Sequence, residues 1–331
     1  MSLFPSLKKR LLFVLFLFLT FCGSVVAWWL IPKNNVIKVS KPLQETFLNA
    51  KNRSLFNLIK LAEQGNSEAQ NNLGLMYIEG QRFPQDYNKA IEYFKKAAEQ
   101  GNSEAQSNLG LMYIEGQGLP QDYSKAVEYF KKAAEQGNAD AQYNLGLVYL
   151  NGVGAEKDYK KALDWFTKAA NQGSAEAQNN LAIMYDKGMG VAKDIKKAIE
   201  LYTKAANQGH VHAESNLGQI YAEGKEISQD YKKAVECFEK AAIKGLAEAQ
   251  YNLGVFYING IGVAKDDTKA FEWLQKAANQ GFAPAQHNLA AMYVVGKGVP
   301  KDNKKALEWF QKAADRGLTE AKEAILKIQQ N

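Results

Sequence analysis

Glycine recurs along this chain at a fixed spacing of 36 residues, and this spacing limits the possible folds more than any other feature of the sequence. The first series has eight members: Gly65, Gly101, Gly137, Gly173, Gly209, Gly245, Gly281 and Gly317. A second series keeps the same period: Gly80, Gly116, Gly152, Gly188, Gly224, Gly260 and Gly296. A period of this length without an insertion indicates tandem structural units that stack on their neighbours.

Each unit contains two segments with helical periodicity. In the first unit, helix A is predicted over 66–79, because the small or apolar residues Ala69, Leu73 and Tyr77 recur at helical spacing. Helix B is predicted over 86–100, with alanine and phenylalanine on one face and lysine and glutamate on the other. The glycines that follow these segments are expected to end the helices with a positive φ angle.

The repeats predict an all-α fold, a right-handed α/α solenoid of seven 36-residue helix-turn-helix repeats. These full repeats run from 66 to 317. A segment resembling helix B precedes them at 53–64, and one resembling helix A follows at 318–330. Such half-repeats are expected to cover the two ends of the stack.

An apolar segment at 11–31 directly follows the basic residues Lys8, Lys9 and Arg10. A helix of this length spans a hydrocarbon core of about 30 Å. The apolar run continues through a Trp-Trp pair that begins at Trp28, and paired tryptophans suit the membrane interface. These features favour an uncleaved membrane anchor.

A cleaved signal peptide is the alternative, with its apolar core at 11–21 and cleavage near Ala27. Under both hypotheses the basic cluster stays in the cytoplasm and the rest is exported, either anchored on the periplasmic or extracellular side or secreted after cleavage. The predicted organisation is an anchor or signal peptide at 1–31, a basic spacer at 32–51 and a solenoid at 52–331.

The positive charge of the chain lies before the repeats. Residues 1–51 contain seven basic side chains and one acidic one, whereas the net charge of the whole chain is +6. The remaining residues are therefore neutral overall. A nucleic-acid-binding domain needs a basic face to displace counterions from phosphates, so no nucleic-acid partner is predicted.

The repeat motif is most visible over Ala141–Gly173. It reads Ala-Gln-x-Asn-Leu-Gly-x-x-Tyr, then Gly-x-Gly, then Asp-Tyr-x-Lys-Ala-x-x-Trp-Phe-x-Lys-Ala-Ala-x-Gln-Gly. This unit resembles the Sel-1-like repeat family of α/α-solenoid proteins, relatives of the tetratricopeptide repeats, and the resemblance covers about 52–331. It implies a non-catalytic scaffold or adaptor for protein partners, with regulation of an envelope or cell-wall enzyme as an alternative.

No constellation for catalysis, cofactor binding or metal binding is predicted. His210, His212 and His287 are not accompanied by the further side chains needed to complete a metal site. A dinucleotide-binding loop follows a β-strand, whereas the Gly-x-Gly pairs of this chain do not. Some cysteine-rich members of the resembling family are linked to β-lactam hydrolysis, which makes a β-lactamase-type hydrolase the remaining enzymatic alternative. The repeats contain neither Ser-x-x-Lys nor Lys-Thr-Gly, so we favour a non-enzyme.

Asparagine occupies one helix-A position in all seven repeats: Asn72, Asn108, Asn144, Asn180, Asn216, Asn252 and Asn288. Because asparagine is a poor residue within a helix, we expect compensating hydrogen bonds to backbone in the adjoining turn or repeat. A peptide-clamping role is the alternative. The presence of asparagine in every repeat favours the structural role.

Two further helix-A columns, which begin at Leu75 and Ile78, are apolar where a solvated helix would be polar. Either adjacent A helices touch along them, or they line a concave surface for a protein or peptide partner. Polar residues interrupt the columns in repeats four and five, which leaves two apolar patches. The predicted partner-binding residues are Tyr143, Leu147, Leu150, Tyr251, Val255, Ile258 and His287.

Overall fold

A computed structural model describes residues 54–80 and 82–329 of the chain. These residues form sixteen α-helices and contain no strand. The helices are α1 (54–63), α2 (Ser67–Glu79), α3 (Tyr87–Glu99), α4 (Ser103–Glu115), α5 (Tyr123–Glu135), α6 (Ala139–Asn151), α7 (Tyr159–Asn171), α8 (Ala175–Lys187), α9 (Ile195–Asn207), α10 (Val211–Glu223), α11 (Tyr231–Ile243), α12 (Ala247–Asn259), α13 (Asp267–Asn279), α14 (Ala283–Val295), α15 (Asn303–Asp315) and α16 (Thr319–Gln329).

Local sequence sets where the helices begin and end. The Asn66 side chain accepts a hydrogen bond of 2.8 Å from the backbone N–H of Ala69, which caps α2. Asp86 caps α3 in the same way, through the N–H of Lys89. Helix α2 ends at Gly80, which has a φ of 68° that other residues adopt only with strain. The prediction that the glycines end the helices is confirmed.

Glycine also brings the two helices of a repeat close together. In the second repeat, the Phe130 ring of α5 fills the space beside Gly110 of α4, and a Cβ atom at Gly110 would lie 2.6 Å from that ring. Phe130 has no exposed surface. The small residue and the large one therefore interlock, which fixes the separation of helices A and B.

The helices form two compact units that divide after Gln172. In the first unit, α1 packs through Ala62 against Ala69 and Leu73 of α2. In the second unit, Ala321 of α16 is fully buried in the apolar core. The half-repeats thus pack on full repeats as predicted, and the all-α prediction of seven helix-turn-helix repeats is confirmed within the described residues.

The predicted anchor at 11–31 and spacer at 32–51 lie outside the described residues. Within the described residues, none of the helices has the length and the apolar character needed to cross a membrane.

Candidate partner-binding surface

Three of the predicted partner-binding residues lie on α6, in the first unit. Leu147 is buried, whereas Tyr143 and Leu150 are partly exposed. The Tyr143 ring lies 5.8 Å, centroid to centroid, from the ring of Phe166 on α7. Tyr143 therefore contributes to the packing between the helices of its repeat and also reaches the surface.

The other four predicted residues lie in the second unit. Tyr251, Val255 and Ile258 recur at helical spacing along α12, and His287 occupies the position of Tyr251 on α14. All four are partly exposed. Ala291 and Val294 of α14 are equivalent to Val255 and Ile258 and are also partly exposed. We call this set the A-helix patch: Tyr251, Val255, Ile258, His287, Ala291 and Val294.

Ring contacts hold the aromatic members of the A-helix patch in place. The Tyr251 ring lies 5.4 Å from that of Phe282, and the His287 ring meets Phe310 edge-on at 5.1 Å. Burial lowers the pKa of His287 below its ordinary value, so the imidazole is neutral near pH 7. The patch consequently has no charged side chain and combines apolar surface with two positioned rings.

Polar residues occupy the equivalent positions earlier in the second unit. Asp186 forms an ion pair of 2.8 Å with Lys187, and Gln219 donates a hydrogen bond to Glu223. Each of these polar side chains thus has a partner on its own helix. Within these helix-A columns, the apolar positions of the second unit thus lie on α12 and α14.

Two of the repeated asparagines bond to an asparagine side chain of the preceding repeat that lies one position before the repeated column. The Asn108 amide donates to the side-chain oxygen of Asn71 at 3.0 Å, and Asn216 donates to Asn179 at 3.2 Å. Each bond joins helix A of one repeat to helix A of the preceding repeat. The expected backbone partner is wrong for these two asparagines, because a second side-chain amide lies within reach. Their use between repeats supports a structural role.

A second polar system, which we call the glutamine relay, was missed by the sequence analysis. In the first repeat, Gln70 is buried and donates to the backbone oxygen of Ala62 at 3.0 Å, in the half-repeat before it. Its own side-chain oxygen accepts from Gln100 at 2.7 Å. The relay therefore satisfies a buried amide and ties each repeat to its predecessor. The same side-chain pairing occurs in Gln136–Gln106, Gln172–Gln142, Gln208–Gln178 and Gln280–Gln250.

One repeat replaces both glutamines of the relay by charged residues. Lys244 donates to Glu214 at 2.7 Å, and Glu214 is buried. The paired exchange keeps a donor facing an acceptor. A signal was present in the sequence, since these two columns depart from glutamine together in this repeat.

His210 caps a helix where earlier repeats have asparagine or serine. Its Nδ1 accepts from the backbone N–H of Ala213 at 3.2 Å, at the start of α10. Burial lowers the pKa of this imidazole, although Glu176 opposes the shift. An unprotonated Nδ1 is required for the cap because a protonated ring has no acceptor.

The His210 cap should make the stability of the protein depend on pH. Because the pKa of His210 is lower in the folded state, the unfolded chain binds the proton more readily, and stability falls as the pH drops through about 6.5. His210→Asn should retain the cap, whose loss costs about 1 kcal/mol, and should lose less stability than the wild type between pH 7.5 and 5.5. Urea unfolding at both pH values measures this.

His212→Asn is the control for that experiment, since His212 is exposed and caps no helix. His287 leaves some dependence on pH in every variant. Equal losses of stability in His210→Asn and His212→Asn would contradict the assignment of the cap.

The described residues bring together no group of three or more His, Cys, Asp or Glu side chains that could hold a metal ion. Cys237 is a partly buried free thiol whose pKa is raised by burial, so it is mostly protonated near neutral pH.

Comparison with known proteins agrees with the repeat geometry. The family model described as "Sel1 repeat" matches seven consecutive segments: 67–102, 103–138, 139–174, 175–210, 211–246, 247–282 and 283–318. None of the curated proteins that were compared with the sequence matches it.

Two proteins are named here from among the solved structures that are similar to the chain. A Sel1 repeat protein from Oxalobacter formigenes is 36% identical, with a TM-score of 0.70, over 84% of this chain and 81% of that one. A protective antigen of uropathogenic Escherichia coli, described as having an SLR fold, is 34% identical with a TM-score of 0.64. That similarity covers 82% of this chain but 66% of the antigen, slightly less than two thirds of its length. The seven matched repeats and these structures show that the chain belongs to the Sel1 repeat family, whose members are typically protein–protein interaction scaffolds.

Proposed function

We propose that the protein is a non-catalytic scaffold that binds a protein partner through the A-helix patch of its second unit. The observation that carries this proposal is the partial exposure of uncharged apolar and aromatic side chains on two successive A helices. Relatives with this fold are generally non-catalytic and generally bind proteins. The family and the chemistry of the patch therefore support the same kind of function.

The partner should present apolar side chains to the A-helix patch. Val255, Ile258 and Val294 offer aliphatic surface, while Tyr251 supplies the kind of ring that is enriched at interface hot spots. Tyr251 is held against Phe282, so little conformational entropy is lost when it is covered. Because the patch has no charged side chain, affinity should change little between 0.1 and 0.5 M salt.

Tyr143 and Leu150 form a smaller partly exposed surface on the first unit. We propose that they provide a second contact for the same class of partner. Leu147 lies between them in the sequence and is buried, so Leu147→Asp would test folding rather than binding.

We further propose that residues 11–31 anchor the protein in a membrane, with the repeats on the exported side. The length of this apolar run and the basic cluster before it support the proposal. Alkaline carbonate extraction of membranes from the native cell tests it: the protein should stay with the membrane, and release into the soluble fraction would contradict an uncleaved anchor.

Ile258→Asp should abolish most partner binding, because it places a charge within the apolar contact. Ile243→Asp is the matched control, since Ile243 is 76% exposed at the end of α11 and lies outside the patch. Burying a charge against the apolar surface of the partner should weaken binding at least about thirtyfold. Quantitative co-purification from the native cell with full-length variants measures the difference.

Thermal unfolding of both variants shows whether they remain folded. Ile258 is only partly buried, so both substitutions should leave the fold intact. Equal recovery of partners by Ile258→Asp and Ile243→Asp would contradict partner binding through the A-helix patch.

A further inference from the structure

The last full repeat breaks the glutamine relay. Gln286 of α14 still donates to the backbone oxygen of Ala278 at 3.1 Å, which fixes the orientation of its amide. Its side-chain oxygen, however, is buried and has no hydrogen-bond partner. The donor that would be expected from the other repeats is glutamine, but this repeat has Arg316 in its place.

Arg316 does not take over the role of the missing glutamine. Its guanidinium group lies against Gly281, where a Cβ atom would collide with it. Among the residues that the structure describes, Arg316 forms no ion pair. The neighbouring carboxylate of Asp315 instead accepts a hydrogen bond of 2.8 Å from Gln311.

A cleft of about 490 Å³ lies at this point, within the second unit. Its lining includes Gln286, Trp309, Lys312 and Arg316. The Lys312 ammonium lies 3.9 Å from the centre of the Trp309 ring. The cleft thus combines two cations, the Asp315 carboxylate that accepts from Gln311, an aromatic ring and a buried oxygen without a donor.

The side chains of Gln286 and Arg316 determine which chemical groups a ligand of this cleft would carry. Gln286 is 3% exposed, and a buried carbonyl oxygen without a donor is unfavourable, so a ligand with an N–H is favoured. The guanidinium group of Arg316 prefers a planar carboxylate. Peptides combine these two groups within one residue, in a C-terminal residue or in an aspartate.

We propose that this cleft is a second binding site, which takes a carboxylate next to a peptide N–H. The N–H donates to Gln286, the carboxylate pairs with Arg316, and the residue lies against Trp309. The site does not rest on the scaffold function proposed above. It would give the last repeat a specificity that the other repeats lack, because their own side chains satisfy the equivalent oxygen.

The other repeats provide the comparison that supports the proposal. Where glutamine occupies the position of Arg316, as in Gln280, its amide donates to the relay oxygen at 2.8 Å. Where lysine occupies it, Lys244 pairs with Glu214. In both cases a side chain of the same repeat donates to the relay acceptor, whereas no donor reaches the side-chain oxygen of Gln286 beside Arg316.

Isothermal titration of full-length protein in detergent micelles tests the site with three probes. They are N-acetyl-alanyl-alanine with a free C-terminus, the same dipeptide as its C-terminal amide, and N-acetyl-aspartyl-alanine amide. Binding of the free acid alone identifies a chain terminus, and binding of the aspartyl probe alone identifies an aspartate side chain. Binding of the uncharged amide as tightly as either carboxylate probe would overturn the proposal, as would binding of none of the three.

Arg316→Gln is the decisive variant because it restores the glutamine relay. It should weaken binding of the carboxylate probe about tenfold or more, as expected for loss of a charge-assisted pair, and should also raise the thermal midpoint. Arg82→Gln, at an exposed arginine of the first unit, is the matched control. It should change neither the affinity for the carboxylate probe nor the thermal midpoint. Unchanged probe affinity in Arg316→Gln would overturn the proposal even if its stability rises.

Discussion

Replacing Phe130 with alanine should lower the free energy of unfolding by about 3–5 kcal/mol. Phe130 has no exposed surface, and its ring lies against Gly110 of the facing helix. A glycine at that position has no side chain that could move into the space. The cavity left by the ring would therefore stay largely open, which places the expected effect among the larger ones known for core truncation.

Urea unfolding, followed by far-ultraviolet circular dichroism of the full-length protein in detergent, measures this effect. Phe56→Ala is the matched control, since the Phe56 side chain on α1 is 66% exposed. Its removal should change stability by no more than about 0.5 kcal/mol. Similar losses in the two variants would contradict the interlocked packing of glycine and phenylalanine.

Lys244→Ala should lower the free energy of unfolding by about 2–3 kcal/mol. The change removes the partner of the buried Glu214 carboxylate, and an uncompensated buried charge commonly costs about 3–5 kcal/mol. The side chain of Lys244 is 38% exposed, so water reaches the pair and reduces the effect below that range. This loss is large for a lysine near the surface.

Lys240→Ala is the control, because Lys240 is exposed on the same helix and forms no ion pair among the described residues. The double variant Glu214→Gln with Lys244→Gln should recover stability to within about 1 kcal/mol of the wild type, since it recreates the pairing of Gln250 with Gln280. Failure of the double variant to recover, together with equal effects of Lys240→Ala and Lys244→Ala, would contradict the relay.

The helices could be predicted from the sequence because their signals are local. The segment predicted at 66–79 is α2 with its cap, and the segment at 86–100 is α3 with its two flanking residues. Cap residues, helical periodicity and glycine act within a few residues of each other. Repetition then supplies the same signal several times.

The polar links between residues distant in the sequence could not be derived in the same way. The Gln100 side chain meets Gln70 thirty residues earlier, and nothing local to either residue specifies that meeting. The hydrogen-bond partner of Asn108 was not predicted correctly either, because it is the Asn71 side chain and not the expected backbone. The joint exchange to Glu214 and Lys244 was the one sequence signal for such pairing.

The candidate surface was predicted only in outline. Leu147 and Val255 occupy the same column of the repeat, yet Leu147 is buried while Val255 is partly exposed. Exposure depends on the neighbours of each residue in its own unit, which a column of similar side chains does not specify. The cleft at Arg316 could not be predicted from the sequence either, because it depends on the position of the guanidinium group beside Gly281.

Site-specific photo-crosslinking in the native cell shows whether a partner protein contacts the A-helix patch. A photoreactive phenylalanine analogue would replace Ile258 in the A-helix patch or, as the control, Ile243 on α11. We predict a discrete crosslinked protein at position 258, retained when cells are washed in 0.5 M salt, and none at position 243. No crosslink at position 258, or the same products at both positions, would contradict a scaffold that binds its partner through the A-helix patch.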